Sequence, residues 1–417
     1  MKILVLDGNE NQSVAAVRGL AAGGHTVVVG ADSSWSKAGW SRAASGSFMY
    51  PAPQHAVQDF VARIVKEVQK ASDTLVLPMT ERTTIPLSTC REEIFAAGGR
   101  LVLPAHETVL RAFDKQQTTD LARSLGIAVP RTTLISNRSE AQQFAAAGYY
   151  PVVLKARSSE ELSVDGRVLS TGAPTYARNA EEFLTCCEEM NRRCSAILAQ
   201  EFVAGTGAGY FALMHQGELR AEFAHRRIRD VRPTGSGSAY RESVLPDARI
   251  RESSLKILHA LKWHGVAMVE FRQRPDGTPV FLEVNGRFWN SLPLAIYAGV
   301  NFPGLLAEMA ARGDIQQQSG YRVGVRCRWL LGDLRHVLEV WRGAPKGYPV
   351  EFPSRLRALM DFLTPVAGTY HDNFNLNDPL PGLGDWLDFF TRKVPAGIRK
   401  KSTGSQSLNV QSGYSLP

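Results

Sequence analysis

The sequence predicts an α/β domain followed by an α+β domain, on three observations. Residues 1–112 alternate short apolar runs with helical patterns, as βαβ units do. Residues 113–316 replace that alternation with apolar strands joined by Gly-containing turns, the mark of antiparallel hairpins. From residue 317 the pattern turns irregular, with Pro and Trp scattered through it, and reads as a C-terminal extension.

The first domain begins with KILVLDGNENQSVAAVRGLAAGGHTVVVGADSS, an apolar run, a Gly turn, a helical pattern and a second apolar run. A helix around DFVARIVKEVQKA, a strand TLVLP, a helix TIPLSTCREEIFAAG and a strand RLVLP continue the alternation. This predicts a doubly wound parallel sheet. The turn Asp7-Gly8-Asn9 lacks the later glycines of a dinucleotide fingerprint, which argues against a nicotinamide domain.

A helix is expected from Asp114, which stands in N-cap position, to the stop at Gly126, with Pro130 closing the connection. GYYPVVLKARSS is next, a buried-type strand carrying Lys155, whose charge is costly there unless an anion meets it. SAILAQEFVAGTGAGYFALMHQGELRAEFAHRR reads as three strands with a hairpin at Gln216-Gly217. GVAMVEFRQRPDGTPVFLEVNGR is a further hairpin turning on Pro275-Asp276-Gly277. In the extension, YRVGVRCRWLLGDLRHVLEVW predicts a strand and a helix. WLDFFTRKVPAGIRKK is mildly amphipathic and basic, with membrane-surface association its minor reading, and KKSTGSQSLNVQSGYSLP is polar and expected to be disordered.

Composition narrows the function classes. The net charge is +8, yet the basic residues form no long run, which argues against nucleic acid. Arg226, Arg227, Arg229 and Arg232 are the densest group and suit a local anion pocket of the kind a polyphosphate fills. Five scattered cysteines argue against a disulfide framework. With no signal-type start and no apolar run long enough to span a bilayer, a cytoplasmic location is expected.

The strand FLEVNGR carries the chemistry. A strand has a side-chain period of two, so Glu283, Asn285 and Arg287 share one face while Leu282 and Val284 point to a core. With Asp276-Gly277 as a two-residue loop, Glu270 falls opposite Glu283. A type I turn on Pro275 with a Gly bulge shifts that register by one, so the pairing then needs a second, compensating bulge. Opposed carboxylates destabilise a ladder unless a cation joins them, and Glu270, Glu283 and the Asn285 amide form a donor set suited to Mg²⁺. A solvated polar face is the competing reading. Phe288, Trp289 and the run Leu292 to Ile296 read as core beneath this face, with Asn290 and Ser291 available to an acceptor pocket. His215, His225 and His264 stand singly, without ligand spacing.

Lys155 in VVLKA, the QEFVAG segment, Glu270 in VEF and the FLEVNGR strand, in that order, resemble the ATP-grasp superfamily over about residues 1–316. The resemblance implies an N-terminal pre-ATP-grasp domain (1–112), an ATP-grasp domain of two α+β subdomains (113–316) and the extension (317–417). It assigns ATP and Mg²⁺, or Mn²⁺, as cofactors. Lys115 and Lys155 would contact the nucleotide, with Glu201, Phe202 and Val203 as the hinge at the adenine, and Arg157 to Gly172 as a loop over the phosphates. Metal ligation falls to Glu270, Glu283 and Asn285. Arg227, Arg241 and Arg287 become candidates to hold the acceptor carboxylate, the first two around a Gly-rich loop, PTGSGSAYRES, that could close on substrate. The implied reaction is phosphorylation of a carboxylate and attack of an amine on the acyl phosphate, in an enzyme that works on small molecules and is often a homodimer. Competing readings are a carboxylase acting on bicarbonate and a non-catalytic nucleotide-binding protein.

Overall fold

The computed structural model describes residues 1–162, 168–192 and 194–392. Apolar runs rich in Val, Ile and Leu that are covered on both sides favour parallel pairing, and the first domain follows that rule. Its five strands lie all parallel in the order Gly46–Met49, Thr26–Ala31, Lys2–Val5, Thr74–Leu77, Gly99–Arg100. Three details differ from expectation. The strand Gly46–Met49 was not foreseen, since its GSFM sequence is exposed and carries little apolar signal. The helix expected over TIPLSTCREEIFAAG is two, Glu81–Thr89 and Arg91–Ala96, broken where Cys90 leaves helical geometry. RLVLP pairs only through Gly99–Arg100.

Asp114 caps the next helix, Lys115–Ser124, accepting from the N–H groups of Gln116 and Gln117, and Gly126 beyond its end takes a positive φ of 72°. A four-stranded antiparallel sheet follows in the order Thr175–Ala177, Val152–Ala156, Ile197–Glu201, Thr132–Ile135. The hinge sequence QEFVAG leaves this sheet and enters a seven-stranded one. There the order is Pro279–Asn285, Gly265–Gln273, Thr206–His215, Glu218–Arg232, Ser236–Ser243, Arg326–Arg328, Thr369–His371. The last two strands come from the extension, which therefore shares the sheet that carries the candidate metal residues. The expected strand and helix of YRVGVRCRWLLGDLRHVLEVW are Arg326–Arg328 and Leu330–Arg342. Residues 393–417, the polar tail, lie outside the described residues.

One core cluster joins the first domain to this sheet, with Val14, Val17 and Leu20 meeting Trp289, Leu292 and Phe302. No single described helix is long and apolar enough to cross a membrane. The pair Leu292–Ala298 and Phe302–Arg312 passes such a test together, bent by 83°, but both helices are largely buried in that core.

Candidate active site

The hairpin of Gly265–Gln273 and Pro279–Asn285 builds the centre of the site. Its turn closes with the Gly277 N–H donating to the Arg274 carbonyl at 2.8 Å and the Arg274 N–H donating to Thr278 at 2.9 Å. Gly277 has φ of 80°, as a turn with a glycine bulge requires. Next to the turn Gln273 pairs with Pro279 and Phe271 with Phe281, one step out of the register that would oppose the two glutamates. A second irregularity between Glu270 and Phe271 then restores it, and Glu270 pairs with Glu283. The compensating bulge turns Leu282 out of the core and into the cavity wall, which corrects its expected burial. Val284 stays in the core.

A cavity of about 630 Å³ lies over this hairpin. Lys115, Lys155, Glu201, Phe202, Val203, Arg227, Glu270, Glu283, Asn285 and Arg287 all line it, so the fold brings together every expected site residue but one. Arg241 does not line it. This arginine is wholly buried, its guanidinium paired with the carboxylate of Asp372 from the extension. The correction has a local cause. PTGSGS is the tip of a long hairpin between Glu218–Arg232 and Ser236–Ser243, not a free loop, and Arg241 lies beyond the tip in its second strand. Thr234 to Ser238 still border the cavity.

Around the two carboxylates the polar groups form a chain. Arg227 Nη2 donates to Glu270 Oε1 at 2.7 Å, and Lys115 Nζ lies 3.7 Å from Glu283 Oε2. The Asn285 amide donates to Glu283 at 3.3 Å and accepts from Arg287 Nη2 at 3.0 Å. Burial alone would push the Glu283 carboxyl up, but the ammonium groups of Lys115 and Lys155 outweigh it and hold the carboxyl below the usual range. Lys155 shows the reverse: burial lowers its ammonium, and Glu283 and Glu270 pull it back. Its Nζ donates to Gln200 Oε1 at 2.9 Å, so the cation inside an apolar strand does meet polar partners. Gly286, next to Asn285, is there for space: a Cβ would stand 2.3 Å from the Trp263 ring.

At the hinge, the N–H groups of Glu201 and Phe202 are committed to the carbonyls of Arg131 and Pro151, at 2.8 and 3.1 Å. Phe202 and Tyr176 wall this end, backed by Tyr348 of the extension with ring centroids 5.7 and 4.9 Å away. Of the loop expected over the phosphates, Ser158, Ser159, Thr171 and Gly172 border the cavity, Lys115 donates to Ser159 at 2.8 Å, and residues 163–167 lie outside the described residues.

Two residues gain a place at the site only from the fold: His225, set aside from sequence as a lone histidine, lines the cavity, and Glu81, not singled out from sequence, stands next to the lining residue Arg287. His225 is buried, stacked on Phe211, and its Nε2 meets Ser291 Oγ at 2.8 Å. Burial, with Arg227 and Arg241 adding to it, keeps the imidazole neutral by lowering it well below its ordinary value. A lone histidine in a strand carries no spacing signal, so only the fold reveals it. Glu81, at the start of a helix after Thr74–Leu77, lies 3.8 Å from Arg287. Its position past the carboxyl end of a parallel strand was the available hint. Of the arginine cluster, Arg227 and Arg232 reach the cavity, whereas Arg226 pairs with Glu242 and Arg229 with Asp333.

Among the described residues no group of three or more His, Cys, Asp or Glu side chains could hold a metal ion by itself. The donor set of two opposed carboxylates and an amide still fits Mg²⁺, which takes few protein oxygens and completes its shell from phosphate and water.

Residues 193–332 match a family model described as ATP-grasp in the biosynthetic pathway with Ter operon. The carbamoyl phosphate synthase large chain of Deinococcus deserti is 29% identical over 227 residues, covering 52% of this chain and 21% of that protein. The chain thus spans about a fifth of the length of the curated relative it matches. The biotin carboxylase domain of Hydrogenobacter thermophilus 2-oxoglutarate carboxylase, in complex with MgADP, ADP and bicarbonate, superposes with a TM-score of 0.59 at 17% identity, over 78% of this chain and 73% of that one. For N5-carboxyaminoimidazole synthetase from Staphylococcus aureus with ADP the values are 0.59 and 12%, over 78% and 80%. For the L-amino acid ligase from Bacillus licheniformis they are 0.54 and 15%, over 75% and 74%. At such identities the likeness is one of fold: the chain has the ATP-grasp fold of these structures, and residues 193–332 carry the match to the family model.

Proposed function

We propose that the protein is an ATP-dependent ligase that phosphorylates a small carboxylate and joins the resulting acyl phosphate to an amine, forming a C–N bond with release of ADP and phosphate. The observation that carries this reading is the directly opposed pair Glu270 and Glu283, ringed by Lys115, Lys155, Arg227 and Arg287 on the floor of one cavity. Opposed carboxylates oppose folding unless a cation joins them, so their placement favours a metal–phosphate ligand. Glu270, Glu283 and Asn285 would hold Mg²⁺. When bound, the metal neutralises charge on the phosphates during transfer.

The chain's own residues then divide the work. Phe202 and Tyr176 provide an apolar wall for the base, and the backbone at Val203 reads its edge. Lys155 and Lys115, as point charges, bind phosphate oxygens. Arg287 and Arg227 face the acceptor, where they orient its carboxylate and stabilise the oxyanion that develops as the amine attacks. His225, held neutral, and Ser291 with Asn290 supply hydrogen bonds at the acceptor end without adding charge. The carboxylate oxygen forms the new bond to the γ-phosphorus as ADP leaves. The amine nitrogen then bonds the carbonyl carbon as phosphate leaves, and the amine gives up a proton. No protein nucleophile is required.

A phosphate-release screen tests the reading: purified protein, Mg·ATP, and amino acids or small carboxylates offered singly and in pairs. Release that depends on one carboxylate and one amine, with the condensed product found by mass spectrometry, is expected. Glu283→Gln should lower that turnover at least about a hundredfold while leaving the thermal midpoint nearly unchanged. Unaltered turnover in this variant would remove Glu283 from the site.

A further inference from the structure

We propose that a second cavity, between the extension and the far edge of the seven-stranded sheet, is a binding site for a small organic monocarboxylate. It measures about 240 Å³ and shares no lining residue with the first cavity. That volume falls below the roughly 300–1,000 Å³ of sites for drug-sized ligands, so the occupant is small. The floor is built by register. Arg229 pairs with Tyr240, Tyr240 with Arg328 and Arg328 with His371, a single row across four neighbouring strands. Directly paired residues present their side chains to one face, and all four line the cavity. Pro365 and Val366, just beyond the helix Arg355–Leu363, form its rim.

The two guanidinium groups of this row converge on one carboxylate. Arg229 gives Nε and Nη2 to Asp333 at 2.7 and 2.8 Å, and Arg328 gives Nε to Asp333 and Nη2 to the Phe362 carbonyl. Nη1 of each arginine makes no hydrogen bond among the described residues. Each guanidinium lies over a ring, Arg229 on Tyr240 and Arg328 on Phe362, both 5.1 Å from the centroid, which fixes its plane. Asp333 is wholly buried, so it cannot be shared further. At the rim Asp361 is paired with Arg357 at 3.9 Å. Three guanidinium groups therefore face two carboxylates, and one positive charge is unmatched. His371 adds none at neutral pH, because burial and Arg328 lower its imidazole, with Asp372 opposing.

An unmatched cation held beside open space calls for an anion, and the walls choose which. The two Nη1 groups, with the hydroxyls of Tyr240 and Thr369 that stand 3.4 Å apart, supply donors for both oxygens of a carboxylate. Pro365 and Val366 offer apolar surface to a short hydrocarbon chain. A phosphate dianion would exceed the single unmatched charge and meet Asp361 at the rim. A monocarboxylate matches both the charge and the apolar rim.

Titration calorimetry of the full chain in chloride buffer tests this, with acetate, propionate and butyrate as probes and inorganic phosphate and sulfate as controls. A carboxylate should bind this site at least about tenfold more tightly than either control does. Val366→Trp fills the cavity from an exposed turn and should weaken that binding about tenfold or more. Arg328→Gln removes one of the donors, while Arg229 still holds Asp333 by two bonds, and should weaken it by a similar factor. Arg287→Met alters only the first cavity and should leave it unchanged. A cooperative thermal transition in each variant checks that it is folded. The proposal is overturned if no carboxylate binds the folded chain, or if phosphate or sulfate binds as tightly. It is equally overturned if folded Val366→Trp keeps the parent affinity, or if Arg287→Met abolishes binding. None of these readouts depends on turnover, so failure here leaves the ligase reading untouched, and the reverse.

Discussion

Arg227 and Arg241 stand opposite each other across one strand pair, yet one belongs to the cavity and the other to the interior. Arg227 reaches Glu270 on the central hairpin and still borders open space. Arg241 meets Asp372, and the Cys327 thiol donates to the same carboxylate at 3.0 Å, with nothing left to solvent. The difference lies in where each carboxylate comes from. Glu270 is supplied by a strand that sets it opposite Glu283 on the wall of the cavity, so that network borders space for a ligand. Asp372 is delivered by the extension, which closes over its arginine. The same contrast repeats nearby, where Arg229 and Arg328 converge on the buried Asp333. A charged pair closed off from the cavity is structural, even with Arg241 Nε and Asp372 Oδ2 left without a hydrogen-bond partner, and a cluster that sets like charges opposite each other beside open space is a binding site in waiting.

That comparison can be broken by substitution. Arg241→Met strands the buried Asp372 carboxylate and should cost about 3–5 kcal/mol in denaturant unfolding, with turnover per folded molecule little changed. Adding Asp372→Leu should recover most of the loss, since an apolar pair can replace a buried ion pair at little cost. Should Arg241→Met instead abolish turnover without loss of stability, the closed network is catalytic after all. Arg227→Met should behave in the opposite way, lowering turnover about 10²–10³-fold with a smaller stability effect, as steady-state rates and a melt on the same sample would reveal.

Gly286→Ala probes how firmly the cavity floor is packed. Its Cβ would meet the buried Trp263 ring at 2.3 Å, and the displacement should cost about 1–3 kcal/mol in chemical denaturation. A neutral result would show a floor softer than the closed network around Asp372.

The smallest effect concerns Glu160, the strand residue that follows the cavity-lining Ser159. Burial raises its carboxyl from 4.5 to about 7, with Arg82 opposing. The folded state therefore keeps a proton that the unfolded chain loses, and stability falls as pH rises from about 4.5 to about 7. Glu160→Gln should flatten the thermal midpoint across that window and leave it unaltered below it.

The parallel first domain, the capped helix at Asp114 and the carboxylate hairpin were all legible, because each depends on local period and turn chemistry. Period two along FLEVNGR puts Glu283, Asn285 and Arg287 on one side wherever the strand sits. The register was legible only as a condition, since the Pro275 turn shifts it and a bulge at Glu270 and Phe271 shifts it back. Leu282 was misread for the same reason: a bulge breaks the alternation that burial was inferred from.

Arg241, His225 and the extension were beyond sequence reading for a different reason. Nothing within a few residues of Arg241 announces Asp372, 131 positions away. His225 acquires its neutral, stacked setting from Phe211 and Ser291 on other elements. The irregular pattern after residue 317 hid two strands that complete the sheet, since Arg326–Arg328 and Thr369–His371 are too short to show a period. By itself, then, the sequence determined which residue types share a strand face and which segments turn, because those follow from backbone geometry over a few residues. Tertiary structure alone decided which cations stay available to a ligand, because a charge is satisfied by whichever carboxylate the fold carries to it.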